Sequence, residues 1–330
     1  MTALLELDGL EISIPVAQGI LRAVRGISLT VDRGETLGVV GESGCGKSLT
    51  ALAIMGLLPP RANVVTRRFT FDGEDLANVS EARLSELRGD RMAMIFQEPM
   101  TALNPTLTIG LQLTEVLQRH RNASAKEARA RALDLLSRVG ISEPAARLAQ
   151  YPHQLSGGLR QRVMIAMALM CGPKLIVADE PTTALDVTIQ VQILNLLREL
   201  KADTGSSLVF ISHDLGVVSR IADRIVVMYA GEVVETGTRA NVLGKPRHPY
   251  TRALLECLPR PRSGDRGGHL GAIPGLVPSL VGPVAGCAFR TRCTFATPEC
   301  AVANLKLVGT KAHGTLCRRA DELWGALPRG

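Results

Sequence analysis

Eight residues near the start of the chain, Gly41-Glu42-Ser43-Gly44-Cys45-Gly46-Lys47-Ser48, limit its possible folds more than any other stretch. They match G-x-x-x-x-G-K-[ST], a loop built to hold phosphate. Its glycines let the backbone turn tightly, so that successive N–H groups point inward at phosphate oxygens. Lys47 then reaches the β- and γ-phosphates of a nucleotide, and the Ser48 hydroxyl is placed to ligate Mg²⁺. The flanks agree. Thr36–Val40 is a short apolar run that reads as a buried strand, and residues 49–58 read as a helix stopped by Pro59-Pro60. The positive end of that helix adds to the site. The expected fold class is α/β.

Further polar residues stand where α/β sheets bind ligands, at the carboxyl ends of apolar runs. Residues 91–96 read as a strand ending at Gln97, which is expected to touch Mg²⁺ or the attacking water; a plain loop Gln is the alternative. Residues 174–178 lead into Asp179 and Glu180. Asp179 is placed to hold Mg²⁺ through water, and Glu180 to polarise an attacking water as a general base. Residues 207–211 end at Ser212-His213, where His213 is expected to sense or contact the γ-phosphate; a purely structural His is the alternative. Ser156, Gly157 and Gly158 open another helix and offer a second anion-binding turn, a weak signal by itself.

The remaining chain reads in blocks. Residues 1–40 alternate and turn like a small antiparallel sheet and contain no aromatic residue. Residues 100–154 are mostly helical, with a capping box at Ser124-Ala-Lys-Glu127. A hairpin is expected around Ala230-Gly231, and residues 259–285, rich in Pro and Gly, read as a linker. No apolar run approaches the ~18 residues needed to cross a bilayer. The N-terminus lacks a basic signal region, so a cytosolic protein is expected. The net charge of +7 is uneven: residues 260–330 carry ten basic and four acidic residues, leaving the body nearly neutral.

Taken in order, the phosphate loop, Gln97, LSGG at 155–158, LIVADE at 175–180, ALD at 184–186 and His213 resemble the ATP-binding cassette (ABC) ATPases. HPYTRALL at 248–255, IPGLVPSL at 273–280 and four late cysteines make the chain similar to the dipeptide and oligopeptide importer ATP-binding subunits. The resemblance implies a P-loop NTPase core of the ABC type. It carries an N-terminal antiparallel β subdomain, a helical subdomain at about 98–160 and a small Cys-rich C-terminal module. The nucleotide-binding domain is expected at 1–258 and the C-terminal domain at 259–330.

The resemblance also implies a mechanism. Two cassettes meet head to tail, and each ATP lies between the phosphate loop of one and the Ser156-Gly157-Gly158 turn of the other, with Asp186 in the nucleotide-binding set. Glu180, His213 and Gln97 form the hydrolytic group; Ser48, Gln97 and Asp179 hold Mg²⁺. The implied partners are a second, related ATPase subunit, two membrane permease subunits and an extracytoplasmic solute-binding protein, at the cytoplasmic face of the inner membrane. Import of nickel or another small solute is an alternative within the family. A soluble cassette acting on nucleic acid is the alternative outside it, and no nucleic-acid partner is expected.

Three features depart from the family pattern. Cys45 stands where Ser is usual; it is either a reactive thiol at a helix N-terminus or an inert small residue. Leu159 replaces a usual Met or Gln, an expected packing change. Ile14 and Val16 stand near the place of an aromatic that stacks on adenine. The late cysteines Cys287, Cys293, Cys300 and Cys317 lack the tight pairs of structural zinc sites. Four thiolates can hold a [4Fe–4S] cluster, and the resemblance points the same way. Zinc and free thiols remain open, as does His313 replacing one ligand.

Overall fold

Five largely apolar runs lie side by side as parallel strands, each buried along its whole length: Arg224–Tyr229, Thr36–Val40, Ser207–Ser212, Leu175–Asp179 and Met92–Ile95. Parallel strands need cover on both faces, which is why these runs barely alternate in polarity. The computed structural model describes residues 3–182, 187–258, 272–302 and 305–325. Asp186 therefore lies outside the described residues.

Side chains alternate across the sheet and divide the core in two. Val39, Val177 and Val209 face one layer, formed by the helix Lys47–Met55 and the N-terminal sheet. Val40, Ile176, Ala178, Leu208 and Phe210 face the other, formed by the helices Ile109–Arg121, Ala125–Arg138, Gly157–Ala168 and Val187–Thr204. The N-terminal sheet is antiparallel as expected, with Leu5–Val16 against Gly19–Val31 and Arg68–Phe71. The capping box at Ser124 and Glu127 is formed, each side chain bonding the other's backbone N–H.

One helix end differs from the expectation. The phosphate-loop helix stops at Met55, before the two prolines. Gly56 adopts a left-handed conformation (φ 63°) and turns its N–H back to the carbonyls of Ala53 and Leu52. A glycine is enough to close a helix this way.

The hairpin around Ala230-Gly231 is present, and its second strand, Glu232–Thr238, carries the sheet onward. Two strands from the end of the chain, His313–Thr315 and Val308–Thr310, add to it. Glu235 secures this junction. Its carboxylate is fully buried and accepts the backbone N–H groups of Arg247 (2.7 Å) and His248 (2.8 Å). His313 Nε2 lies 2.9 Å from the same carboxylate. His313 is thus committed to Glu235, and the idea that it replaces a cysteine ligand is set aside. The segment that begins at residue 272 returns to the N-terminal sheet, where Arg22 N–H bonds Leu280 O at 2.9 Å. Among the described residues, no helix is long and apolar enough to cross a membrane.

Candidate functional site

The sheet order puts Thr36–Val40 between Arg224–Tyr229 and Ser207–Ser212, so the phosphate loop leaves the middle of the sheet. Two glycines are fixed by close approach. A Cβ on Gly41 would stand 2.2 Å from Met228 O, and one on Gly46 would stand 2.7 Å from Ala23 O. Gly46 also has φ 101° and caps the helix Lys47–Met55 without a side-chain oxygen. The first N–H groups of this helix have no internal partners, so a glycine cap keeps them available to an anion.

Lys47 is buried, and its ammonium donates to Gly41 O (2.8 Å) and Glu42 O (3.0 Å). Its side chain arches back over the loop it belongs to. Ser48 Oγ lies 3.1 Å from Asp179 Oδ1, across to the end of the strand Leu175–Asp179. Burial pushes the Asp179 carboxyl above its usual range; Ser48 and Lys47 oppose this and Glu180 adds to it. Two oxygen donors, one a carboxylate that gains from a nearby cation, suit Mg²⁺.

Glu180, one residue on, gathers the other predicted groups. Its Oε2 lies 3.1 Å from His213 Nδ1 and 3.4 Å from Gln97 Nε2. Glu180 has φ 46°, a left-handed conformation costly for a residue with a Cβ, and its N–H is tied to Ile211 O at 3.0 Å. The strained backbone turns its side chain away from Asp179's and toward the ends of the neighbouring strands. Ser156 caps the helix Gly157–Ala168, accepting Leu159 N–H at 3.4 Å. Ser156 and Gly157 are exposed, and a Cβ on Gly157 or Gly158 would meet nothing within 4 Å. The turn is therefore open to solvent on its outer side. Leu159 is half-buried against the helical core, as a packing change requires.

The surroundings of Cys45 favour the reading as an inert small residue. Its thiol is buried, and burial pushes its pKa up despite the nearby Lys47.

The four late cysteines come together although they lie on separate segments. All line one cavity, with Phe289, Leu316, Arg290, Arg318 and Arg319 also in its wall. Burial pushes the Cys287 thiol up to about 11. Among the described residues no group of three or more His, Cys, Asp or Glu side chains is placed to hold a single metal ion.

Sequence reasoning missed the groups that brace Glu42. Tyr250 Oη accepts Glu42 N–H at 2.9 Å, and Arg292 forms a two-pronged ion pair with the Glu42 carboxylate at 2.7 and 3.0 Å. Tyr229, Tyr250 and Phe289 pack ring to ring behind them, with centroids 4.7 to 5.3 Å apart. HPYT at 248–251 was the only signal for Tyr250; nothing in the spacing pointed to Arg292.

Residues 24–183 match the family model described as ABC transporter, and residues 234–300 match the oligopeptide/dipeptide transporter C-terminal region. The chain is 51% identical over 294 residues to the dipeptide transport ATP-binding protein DppD of Bacillus subtilis, covering 89% of this chain and 87% of that protein. It is 50% identical over 297 residues to the probable D,D-dipeptide transport ATP-binding protein DdpD of Escherichia coli, covering 90% of each. Among solved structures, the cassette MJ0796 in a dimeric post-hydrolysis state bound to ADP and phosphate superposes with a TM-score of 0.65 at 30% identity. That match covers 71% of this chain and 98% of the other.

Proposed function

This chain belongs to the dipeptide/oligopeptide branch of the ABC transporter ATP-binding proteins, and we propose that it binds and hydrolyses ATP to drive peptide import through membrane permease subunits. The observation that carries this reading is the gathering of Gln97 and His213 on Glu180, next to the Ser48–Asp179 pair. A phosphate-binding loop alone would hold a nucleotide; a carboxylate beside it, kept in place by two neighbours, can also take a proton from water.

In the proposed cycle, Lys47 and the loop N–H groups orient the β- and γ-phosphates. Ser48 and Asp179, with Gln97, would hold Mg²⁺, which supplies positive charge to the phosphate oxygens. Glu180 accepts the proton of the attacking water, and His213 fixes the carboxylate and approaches the γ-phosphate. The outward-facing turn at Ser156, Gly157 and Gly158 serves the nucleotide of a second cassette, because its donors are of use only across a seam. Asp186 completes the proposed nucleotide-binding set. The second cassette is proposed to be a related, non-identical chain, and a solute-binding protein delivers the peptide to the permeases. The chain then acts as a peripheral subunit on the cytoplasmic face of the membrane. We assign the nucleotide-binding domain to 1–258, with its helical subdomain at about 98–160, and the C-terminal domain to 259–330. Replacing Glu180 in the assembled transporter tests the hydrolytic assignment and is argued in the Discussion.

We further propose that Cys287, Cys293, Cys300 and Cys317 hold a [4Fe–4S] cluster. A shared cavity walled by arginines supports this, since four thiolates on such a cluster leave a net negative charge. Anaerobic purification should yield about four iron and four sulfide per chain by chemical assay, and Cys300→Ser should lose most of both. Iron-free protein from anaerobic preparation would refute the assignment.

Base recognition should be permissive. Ile14 and Val16 are half-buried on the strand Leu5–Val16, and neither this strand nor Gly19–Val31 contains an aromatic ring. Stacking a base on an aromatic is worth about 1–3 kcal/mol, and aliphatic contact supplies less of it. GTP should therefore support turnover with a KM within about threefold of that for ATP, and Ile14→Phe should tighten ATP by about fivefold. Competition kinetics with the two nucleotides checks this; a large preference for ATP would overturn it.

A further inference from the structure

An acidic residue inside a phosphate-binding loop is an electrostatic liability. Glu42 follows Gly41 directly, and its carboxylate stays a quarter exposed on a loop that is to receive several phosphate charges. Like charges a few ångströms apart repel strongly where protein lowers the effective dielectric. The Cys-rich end of the chain answers this charge.

Arg292 reaches Glu42 from 250 residues away in sequence, and its side chain is almost completely buried (5% exposed). Both terminal nitrogens engage the carboxylate, at 2.7 and 3.0 Å. The other donors are also used: Ile273 O at 3.0 Å, Pro274 O at 2.9 Å and Tyr229 Oη at 3.3 Å. The guanidinium lies against the Tyr229 and Phe289 rings, 5.8 and 5.9 Å from their centroids. Such a planar fork has one good orientation, set by its acceptors on every side. Tyr250 holds the backbone of the same residue through Glu42 N–H. Glu42 is thus fixed at its backbone by Tyr250 and at its side chain by Arg292 from the Cys-rich end.

We propose that Arg292 is a positioning residue for the nucleotide: it neutralises Glu42 and draws the carboxylate to the rear of the loop, so that the C-terminal module sets how tightly the loop holds a triphosphate. This rests on the reading that the loop binds ATP. Arg292 lies on a short turn, Arg290–Arg292, between Cys287 and Cys293, so the segment that joins two of the cavity-lining cysteines also carries the anchor of the phosphate loop.

The test is a double-mutant cycle on the full chain, measuring MgATP and MgADP binding by calorimetric titration. Arg292→Ala frees an uncompensated carboxylate and should weaken MgATP about tenfold and MgADP less, since ADP brings one phosphate fewer. Arg292→Lys keeps the charge and should stay within about threefold of the parent. In Glu42→Gln combined with Arg292→Ala the liability is gone, and most of the lost affinity should return. A purely structural Arg292 would leave the double variant as weak as Arg292→Ala, which overturns the proposal, as does an Arg292→Ala chain that binds like the parent. Lys47→Ala separates the two levels: if it too binds normally, the reading of the loop fails, whereas a loss there with none at Arg292 sinks only this inference.

Discussion

Glu180→Gln lowers ATP turnover by the assembled transporter about 10³-fold while nucleotide affinity stays within about twofold of the parent. The amide keeps the shape of the side chain and can still meet His213 and Gln97, which lie 3.1 and 3.4 Å from Glu180 Oε2. It cannot accept the proton of the attacking water. General-base assistance is worth about 10²–10⁴-fold, so the loss should approach the whole catalytic contribution of the group. The backbone supports this expectation. A residue with a Cβ held at φ 46° costs of order 1–3 kcal/mol, and such strain gathers at working sites. Phosphate release measured with permeases present, alongside nucleotide titration, gives both numbers. Turnover that stays at the parental level would remove Glu180 from the mechanism and with it the hydrolytic assignment of the site.

Lys47→Ala should weaken MgATP binding by about 10²-fold or more. A charge-assisted hydrogen bond contributes about 1.5–3 kcal/mol, and Lys47 is placed to make such bonds to two phosphates. The substitution also leaves Gly41 O and Glu42 O without the ammonium that now joins them at 2.8 and 3.0 Å, so the loop loses a brace. These effects separate by ligand. Loss of the phosphate contacts acts more on ATP than on ADP, because the γ-phosphate is involved; a loosened loop weakens both alike. Titration with each nucleotide resolves the two, and thermal unfolding of the nucleotide-free chain reads the brace alone. Equal affinity of variant and parent for ATP would show that this loop is not where the triphosphate is held.

Much of the site was legible because its parts are local. The phosphate loop joins one strand to the next helix, so eight consecutive residues carry its geometry. Asp179 and Glu180 close one strand, and Gln97 and His213 follow two others. Parallel strands ending at one edge must bring such residues together once the sheet forms. Helix ends were less secure: two prolines suggested the stop that Gly56 in fact makes, three residues earlier. The glycine signal was present and was outweighed by a louder one.

The sequence by itself determined the fold class, the nucleotide loop, the acidic pair at a strand end and the turn at Ser156, because each is written in adjacent residues or in a short period. Only the tertiary structure decided what braces them. Arg292 meets Glu42 across 250 residues, Tyr250 meets it across 208, and His313 meets Glu235 across 78. It likewise placed the Cys45 thiol out of solvent, where burial pushes its pKa up despite the nearby Lys47. Pairings of this kind leave no spacing to read. They depend on which strand lies beside which and on which segments close over the edge of the sheet, and that order follows from packing the chain as a whole.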